Sequence, residues 1–278
     1  MSMRRKLQDS LIKGLIWLCS ALTMAILIYL VVYILARGLP HVSWSFLSSD
    51  FASDARGISS FLAVTLYIIG LTLLFAVPIG VFAAVYLVEY ARPGKIVDII
   101  RFTTESLAGI PSIIFGLFGF IFFVKFCGFR WSLMSGSLTL AICVLPTIIR
   151  TTEEALKTVP VSYKEGSLAL GASRLYTLFR IILPSAMPGI LTSVILAIGR
   201  IVGETAAVFM TAGMAYHLPQ GVFDPGRTLA VHLYALATEG ASFDEAYATA
   251  AVRVAVVLLI NLAANTIGRV LHRKSGAA

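Results

Sequence analysis

Charged residues are scarce in this sequence of 278 residues. Asp, Glu, Lys and Arg make up 13% of it, about half of what soluble domains usually carry. Hydrophobic residues make up 58%, and the mean hydropathy is +0.90. This composition excludes a water-soluble domain and predicts an integral membrane protein.

Groups typical of catalytic and metal sites are also few. The three cysteines have no metal-ligand or redox spacing, and the four histidines lie far apart in the sequence. A partial match to a nucleotide-binding loop, at 221–228, has Arg227 where that motif requires Lys. We therefore expect a simple turn at Asp224-Pro225-Gly226 and a chain that is not an enzyme by itself.

Long apolar runs predict the fold class. A hydrocarbon core about 30 Å thick needs roughly 20 apolar residues per helical crossing. Four runs of this kind are free of charge, and two further runs contain charged residues. The sequence thus predicts an all-α bundle in one domain, 1–278, whose six transmembrane helices lie at 14–36, 59–88, 106–124, 131–149, 189–215 and 246–270.

Basic residues are distributed unevenly over the segments between these spans. Fifteen lie on the side of the N-terminus: Arg4, Arg5, Lys6, Lys13, Arg92, Lys95, Arg101, Arg150, Lys157, Lys164, Arg174, Arg180, Arg269, Arg273 and Lys274. Five lie on the other side: Arg37, Arg56, Lys125, Arg130 and Arg227. Because cytoplasmic loops retain Lys and Arg, both termini are expected in the cytoplasm. The net charge of +8 then reflects topology rather than binding to nucleic acid.

The longest predicted cytoplasmic loop, 150–188, contains a short helical pattern around 161–173. In such a helix Leu168 and Ala172 would lie near one face, and Gly171 would end it. A helix of this length is not stable alone in water. We therefore expect it to pack on a partner surface in the cytoplasm.

This loop resembles the signature of the permease subunits of bacterial ABC importers: Glu-Ala-Ala, three residues, Gly, nine residues, Ile, one residue, Leu-Pro. Gly166-Ser167 replaces Ala-Ala, and the other signature positions hold Glu165, Gly171, Ile181, Leu183 and Pro184. In that family the segment is the coupling helix that docks on the ATPase. The resemblance implies an ATPase-coupling role for Glu165, Gly166, Ser167, Leu168, Gly171, Ala172, Ile181, Leu183 and Pro184.

Four further stretches resemble phosphate-specific permeases of the PstA type: 87–94, 107–119, 145–156 and 199–206. The resemblance implies a type I ABC importer permease bundle in the bacterial plasma (inner) membrane. The implied partners are a second related permease, two copies of an ATP-binding subunit that hold ATP and Mg, and an external phosphate-binding protein. No cofactor is expected in this chain. The alternatives are a permease for another oxyanion (molybdate or sulfate), an ion-driven secondary transporter and a membrane-embedded enzyme.

Two charged residues in the fifth predicted span require an explanation, because charge is costly inside a bilayer. Arg200 and Glu204 are four residues apart, so on a continuous helix they share a face and can pack as a self-neutralising pair. Alternatively they line a phosphate path. Arg can donate two hydrogen bonds to an oxyanion, and a carboxylate can accept the hydrogen that protonated phosphate carries and sulfate lacks.

Neighbouring residues extend this candidate path. Thr205 can add a hydroxyl, and Gly199 with Gly203 would let another helix approach closely. In the sixth span, Arg253 either contacts the substrate or extends toward the outer surface. The predicted substrate path therefore comprises Arg200, Glu204, Thr205 and Arg253.

Overall fold

The computed structural model describes residues 3–51, 56–92, 94–240 and 242–275, and all regular structure in these ranges is helical. The α-helices are α1 Met3–Gly38, α2 Trp44–Ser48, α3 Ser59–Val85, α4 Lys95–Ala108, α5 Ser112–Gly119, α6 Leu133–Lys157, α7 Val161–Ala169, α8 Arg174–Thr177, α9 Leu183–Gly203, α10 Ala206–Thr211, α11 Leu229–Glu239 and α12 Phe243–Ser275. π-helical turns extend three of them, at Tyr86–Tyr90, Phe120–Phe126 and Leu178–Ile182. Pro93, in the stretch 87–94, lies outside the described residues.

The predicted all-helical membrane bundle is confirmed. Within the described ranges, five helical segments are long and apolar enough to cross a membrane: Ser10–His41, Ser59–Tyr90, Leu133–Lys157, Arg174–Gly203 and Phe243–Ala264. A sixth crossing is possible as a bent pair, Lys95–Ala108 with Ser112–Phe126.

The third predicted span, 106–124, does not begin at residue 106. Residues 106–108 end α4, and α5 starts at Ser112 at an angle of 103° to α4. Pro111 causes this break, because proline lacks a backbone N–H and disfavours helical backbone in the residue before it. The third predicted span therefore comprises the end of α4 and the helix α5, with a sharp bend between them.

Helices α3 and α6 form the centre of the bundle, and both run through an internal proline, Pro78 and Pro146. Gly80 of α3 lies against Ile148 of α6, where an added Cβ would be 2.6 Å from Ile148 Cγ2. Gly116 of α5 is packed in the same way, since a Cβ there would lie 2.9 Å from Ala207 Cα of α10. Small residues thus bring the helices into close contact, as is common in lipid.

The predicted cytoplasmic loop 150–188 is mostly helical. Its first eight residues continue α6 to Lys157, and residues from 174 onward lead through α8 into α9. The predicted fifth span, 189–215, contains two helices, since α9 stops at Gly203 and α10 follows at Ala206–Thr211. Hydropathy did not reveal these limits because α6 continues beyond its apolar window, whereas α9 ends inside one.

The segment after α10, predicted as an outside loop, contains the buried helix α11. His232 of α11 is fully buried and stacks on Phe61 of α3 at 4.0 Å between ring centroids. Burial and the nearby Arg227 lower the pKa of His232 to about 3, so this imidazole stays neutral near pH 7. Before α11 the expected turn is present, with Asp224 Oδ2 accepting the N–H of Gly221 at 2.9 Å. At 11 residues, α11 is too short to be recognised as a crossing.

Candidate substrate path and coupling segment

The helical structure is interrupted at Glu204, between α9 and α10. Its backbone is extended, with φ −76° and ψ 127°, whereas Gly203 before it and Ala206 after it are helical. The prediction that Arg200 and Glu204 share one face of a continuous helix is therefore wrong. No ion pair joins these two residues in the part of the chain that the structure describes. Gly203 favours the break because glycine is a poor helix former.

The carboxylate of Glu204 instead turns toward the next helix. Its Oε1 accepts the backbone N–H of Ala207 at 3.3 Å, so it helps to satisfy the start of α10. Thr205 makes no side-chain capping hydrogen bond to α10. One carboxylate oxygen of Glu204 is thus engaged at the break.

Arg253 reaches the same break from α12. Its guanidinium donates a hydrogen bond to the carbonyl of Gly203, with Nη2 3.1 Å from the oxygen. A cation at the C-terminal end of a helix interacts favourably with the helix dipole and with unpaired carbonyls. Arg253 therefore binds the carbonyl end of α9.

The structure thus brings three predicted path residues to one place in the bundle. Arg200 lies in the last turn of α9, directly before the break at Glu204. Arg253 lies at the carbonyl just before Glu204. Two cations and one carboxylate therefore lie at the interruption, each of them partly exposed. Such interruptions are tolerated at membrane depth where they line a cavity or are buried in protein.

Gly199 does not pack against another helix of the described chain. No heavy atom lies within 4 Å of the position that a Cβ would take there. At Gly203 such a Cβ would have only Arg253 Nη2 within this range, at 4.0 Å. The expected close helix approach is therefore not made by these residues, and this side of α9 is open.

The coupling segment forms the predicted short helix, α7, from Val161 to Ala169. Gly171 has a positive φ of 84°, and the N–H of Ala172 donates to the carbonyl of Ser167. Together with the bond from Gly171 N–H to Leu168 O, this is a Schellman motif, which ends helices at a left-handed residue. The prediction that Gly171 ends the helix is confirmed, while Ala172 lies beyond α7 rather than on its face.

Two contacts fix α7 to the bundle. Ser167, which replaces Ala of the family signature, is buried, and its hydroxyl lies 2.9 Å from that of Thr177 in α8. Lys164 Nζ forms an ion pair of 2.5 Å with Glu89 after α3. Glu165 and Gly166 are exposed, and Leu170 is 91% exposed. The segment is thus anchored on one side and presents an apolar and acidic surface on the other.

The remaining signature residues connect α7 to the bundle. Ile181 lies in the π-helical turn, Leu183 begins α9, and Pro184 lies in the first turn of α9. Because this turn continues the helical segment Arg174–Gly203, Pro184 leaves one backbone hydrogen bond of that segment unmade. The signature spacing therefore spans the connection from α7 to the helix that carries Arg200.

Sequence reasoning assigned no role to Glu153, although it lies in the stretch 145–156. It is only 8% exposed, and its Oε1 is 2.7 Å from both Arg101 Nη2 and Lys157 Nζ. This network ties α4 to the last turns of α6. The spacing of Glu153 and Lys157 was a visible signal, but the partner Arg101 is 52 residues away in sequence.

Comparison with known proteins agrees with this architecture. Residues 76–276 match the family model described as "Binding-protein-dependent transport system inner membrane component". A probable ABC transporter permease protein, YqgI of Bacillus subtilis (strain 168), is 39% identical, covering 98% of this chain and 99% of the relative. The phosphate transport system permease protein PstA 1 of Mycobacterium tuberculosis (strain H37Rv) is 34% identical, covering 99% of this chain and 92% of the relative.

Solved structures share the fold. A bacterial alginate ABC transporter, in complex with a pentasaccharide-bound periplasmic protein, superposes with a TM-score of 0.68 at 17% identity over 96% of each chain. The MetNI methionine ABC transporter in an inward-facing conformation gives 0.60 at 22% identity, covering 78% of this chain and 94% of the other. The family model matches most of this chain, and the relatives match it over nearly its full length. This chain therefore belongs to the inner membrane components of binding-protein-dependent transport systems.

Proposed function

We propose that this chain is the permease subunit of an ATP-driven phosphate importer in the bacterial plasma membrane. The observation that carries the proposal is the interruption after α9, which has Arg200 in the turn before it, Glu204 at the break and Arg253 bound to the carbonyl of Gly203. Full-length relatives named as phosphate transport permeases support the choice of substrate.

The chemistry of the path follows from these side chains. The guanidinium groups of Arg200 and Arg253 are donors for phosphate oxygens, and the Thr205 hydroxyl adds a further polar contact. The carboxylate oxygen of Glu204 that is not bonded to Ala207 accepts the hydrogen of protonated phosphate. A site that accepts this hydrogen selects against sulfate, which has none to offer.

The proposed assembly contains a second related permease, two copies of an ATP-binding subunit and an external phosphate-binding protein. The open side of α9 at Gly199 suits the second permease. The exposed side of α7 suits the ATP-binding subunit, where ATP and Mg bind, so that this chain itself requires no cofactor and is not an enzyme. ATP-driven closure of those subunits then moves α7 and, through α8 and the π-helical turn that lead into α9, the interrupted helix.

Phosphate uptake by the reconstituted complete complex tests the function. Uptake of labelled phosphate should require the binding protein and ATP, and excess sulfate or molybdate should not compete. Competition by either oxyanion would reassign the substrate. Uptake driven by an ion gradient without ATP would contradict the ATP-driven importer.

The orientation has its own test, because both termini are proposed to be cytoplasmic. Single cysteines replacing the exposed residues Gln220 and Ser162 place one thiol on each side of the bundle. An impermeant thiol reagent added outside intact cells should label Gln220→Cys and not Ser162→Cys. The reverse labelling would contradict the orientation and the role of α7.

A further inference from the structure

Helix α4 has its apolar side turned away from the protein. Ile96, Ile99 and Phe102 are 71%, 63% and 72% exposed. At 100° per residue they lie within about 120° of one another around the helix axis. On the opposite side, Val97 is buried and Arg101 bonds to Glu153. In water this arrangement would leave a contiguous apolar face uncovered, so the face requires an apolar surrounding.

The position of α4 identifies that surrounding. Its partner Glu153 lies in the last turns of α6, so α4 lies at the end of the bundle where α7 lies. It meets α5 at 103°. If α5 crosses the membrane, a helix at this angle lies close to the membrane plane.

The surface next to α4 is apolar as well. Beyond the break at 109–111, Ile113, Leu117 and Ile121 are each about half exposed. The apolar face of α4 thus continues into the outward face of the crossing. Phospholipid headgroups fit the charge at the start of the helix, where Arg92 and Lys95 are exposed.

We propose that α4 is an interfacial helix whose Ile96, Ile99 and Phe102 insert into the bilayer leaflet on the α7 side, with Arg92 and Lys95 at its headgroups. This is the cytoplasmic leaflet in the proposed orientation. The geometry is that of amphipathic helices that lie at the headgroup and acyl boundary. Through the Arg101–Glu153 contact, such a helix would hold the end of α6 at a fixed depth in the membrane.

Nitroxide labels in the complete complex, reconstituted in lipid nanodiscs, test this placement. After replacement of Cys19, Cys127 and Cys143 by Ala, one variant carries the label at Ile99→Cys. The matched control carries it at Asp98→Cys, an exposed neighbour on another side of α4. The measurement is the spin relaxation rate of each label. At residue 99, oxygen, which concentrates in lipid, should raise this rate more than a water-soluble nickel chelate does. At residue 98 the nickel chelate should have the larger effect. A second label at Phe102→Cys should behave as at 99.

Three results would overturn the proposal. Equal access of the nickel chelate at 99 and 98 would place the face in water. Shielding of residue 99 from both reagents only when ATP-binding subunits are present would identify an ATPase-docking face instead. Shielding from both reagents without those subunits would place the face against another permease.

Discussion

Two interruptions flank α9, and they are built differently. The one before it, at Gly171, is closed by hydrogen bonds within the turn itself and needs a left-handed residue. The one after it, at Glu204, has no residue of positive φ, and the carbonyl of Gly203 is bound by Arg253 from α12. The first is a local turn, whereas the second depends on tertiary contacts between helices.

This difference bears on how movement can pass through the molecule. A turn closed by its own backbone transmits displacement as a rigid unit, which suits a segment that docks on a moving partner. An interruption whose carbonyl is held by a side chain from another helix can change when the helices move apart. Helices α3 and α6 remain continuous through Pro78 and Pro146, so proline alone does not explain where the bundle breaks. We infer that the interruption at Glu204, called the interior break below, is the element whose conformation changes when the helices move.

The strongest test of the interior break is Arg200→Ala. It should abolish phosphate uptake while the complex still assembles and hydrolyses ATP at its basal rate. Two hydrogen bonds to a charged group are together worth about 3 kcal/mol or more, which corresponds to a loss of at least roughly 100-fold. Labelled-phosphate uptake measures the loss. Arg200→Lys should retain part of the activity, since it keeps the charge but not the paired donors.

The double variant Arg200→Ala/Glu204→Ala separates transport from packing. If neither charge handles phosphate, uptake should survive the loss of both, provided that the complex still assembles without the Glu204 oxygen that accepts the N–H of Ala207. If they handle phosphate, the double variant should assemble and transport nothing. Near-normal uptake by the double variant would remove both residues from the mechanism.

Glu204→Gln should change selectivity rather than assembly. The amide oxygen can still accept the N–H of Ala207, so α10 keeps its start. The second position becomes an NH₂ donor, which cannot accept the hydrogen of phosphate. Phosphate uptake should fall by about tenfold, the effect of about 1.4 kcal/mol, and sulfate should begin to compete. An unchanged preference for phosphate over sulfate would show that a group other than Glu204 accepts the hydrogen of phosphate.

Gly171→Ala tests the local interruption, and Gly166→Ala in the same segment is its matched control. Neither glycine has a heavy atom within 4 Å of an added Cβ, so the two differ in backbone and not in space. Alanine at the positive φ of Gly171 costs about 1–2 kcal/mol, whereas alanine inside α7 gains about 0.5–1 kcal/mol. Binding of the ATP-binding subunit should weaken several-fold for Gly171→Ala only. Equal affinities would contradict a role for the turn in docking.

Much of the fold could be predicted from the sequence because apolar windows and the coupling signature are local patterns. Gly171 could be predicted as a helix end from its residue type and position. The limits of α9 could not, since the extended backbone at Glu204 is stabilised by contacts with Ala207 and with residues of another helix. The spacing of four between Arg200 and Glu204 predicted a shared helical face. In the structure the helix ends at Gly203, so the two residues are not on one helix.

Short buried elements were missed for a related reason. Helix α11 is shorter than a crossing, so hydropathy treats it as loop, although His232 is among its fully buried residues. The spacing of Glu153 and Lys157 could be recognised in the sequence. The role of Glu153 depends on its contact with Arg101 on α4, which no local pattern predicts. Contacts between distant residues decide where the break, the buried histidine and the charge network lie.

The smallest expected effect concerns how the interior break is held. Arg253→Gln removes the cation at the end of α9, where a partly buried charge is worth up to about 2 kcal/mol, and Arg253→Lys should lose less because it keeps the charge. The unfolding temperature of the complex in nanodiscs should therefore be lower for both variants than for the unsubstituted protein, and lowest for Arg253→Gln.

The KM for phosphate supplies the second readout. If Arg253 also contacts the substrate, KM should rise for Arg253→Gln even at temperatures where the complex is fully folded. A lower unfolding temperature with unchanged KM would restrict Arg253 to positioning α9. A raised KM with unchanged unfolding temperature would show that the bond to Gly203 contributes little and that Arg253 acts on phosphate directly.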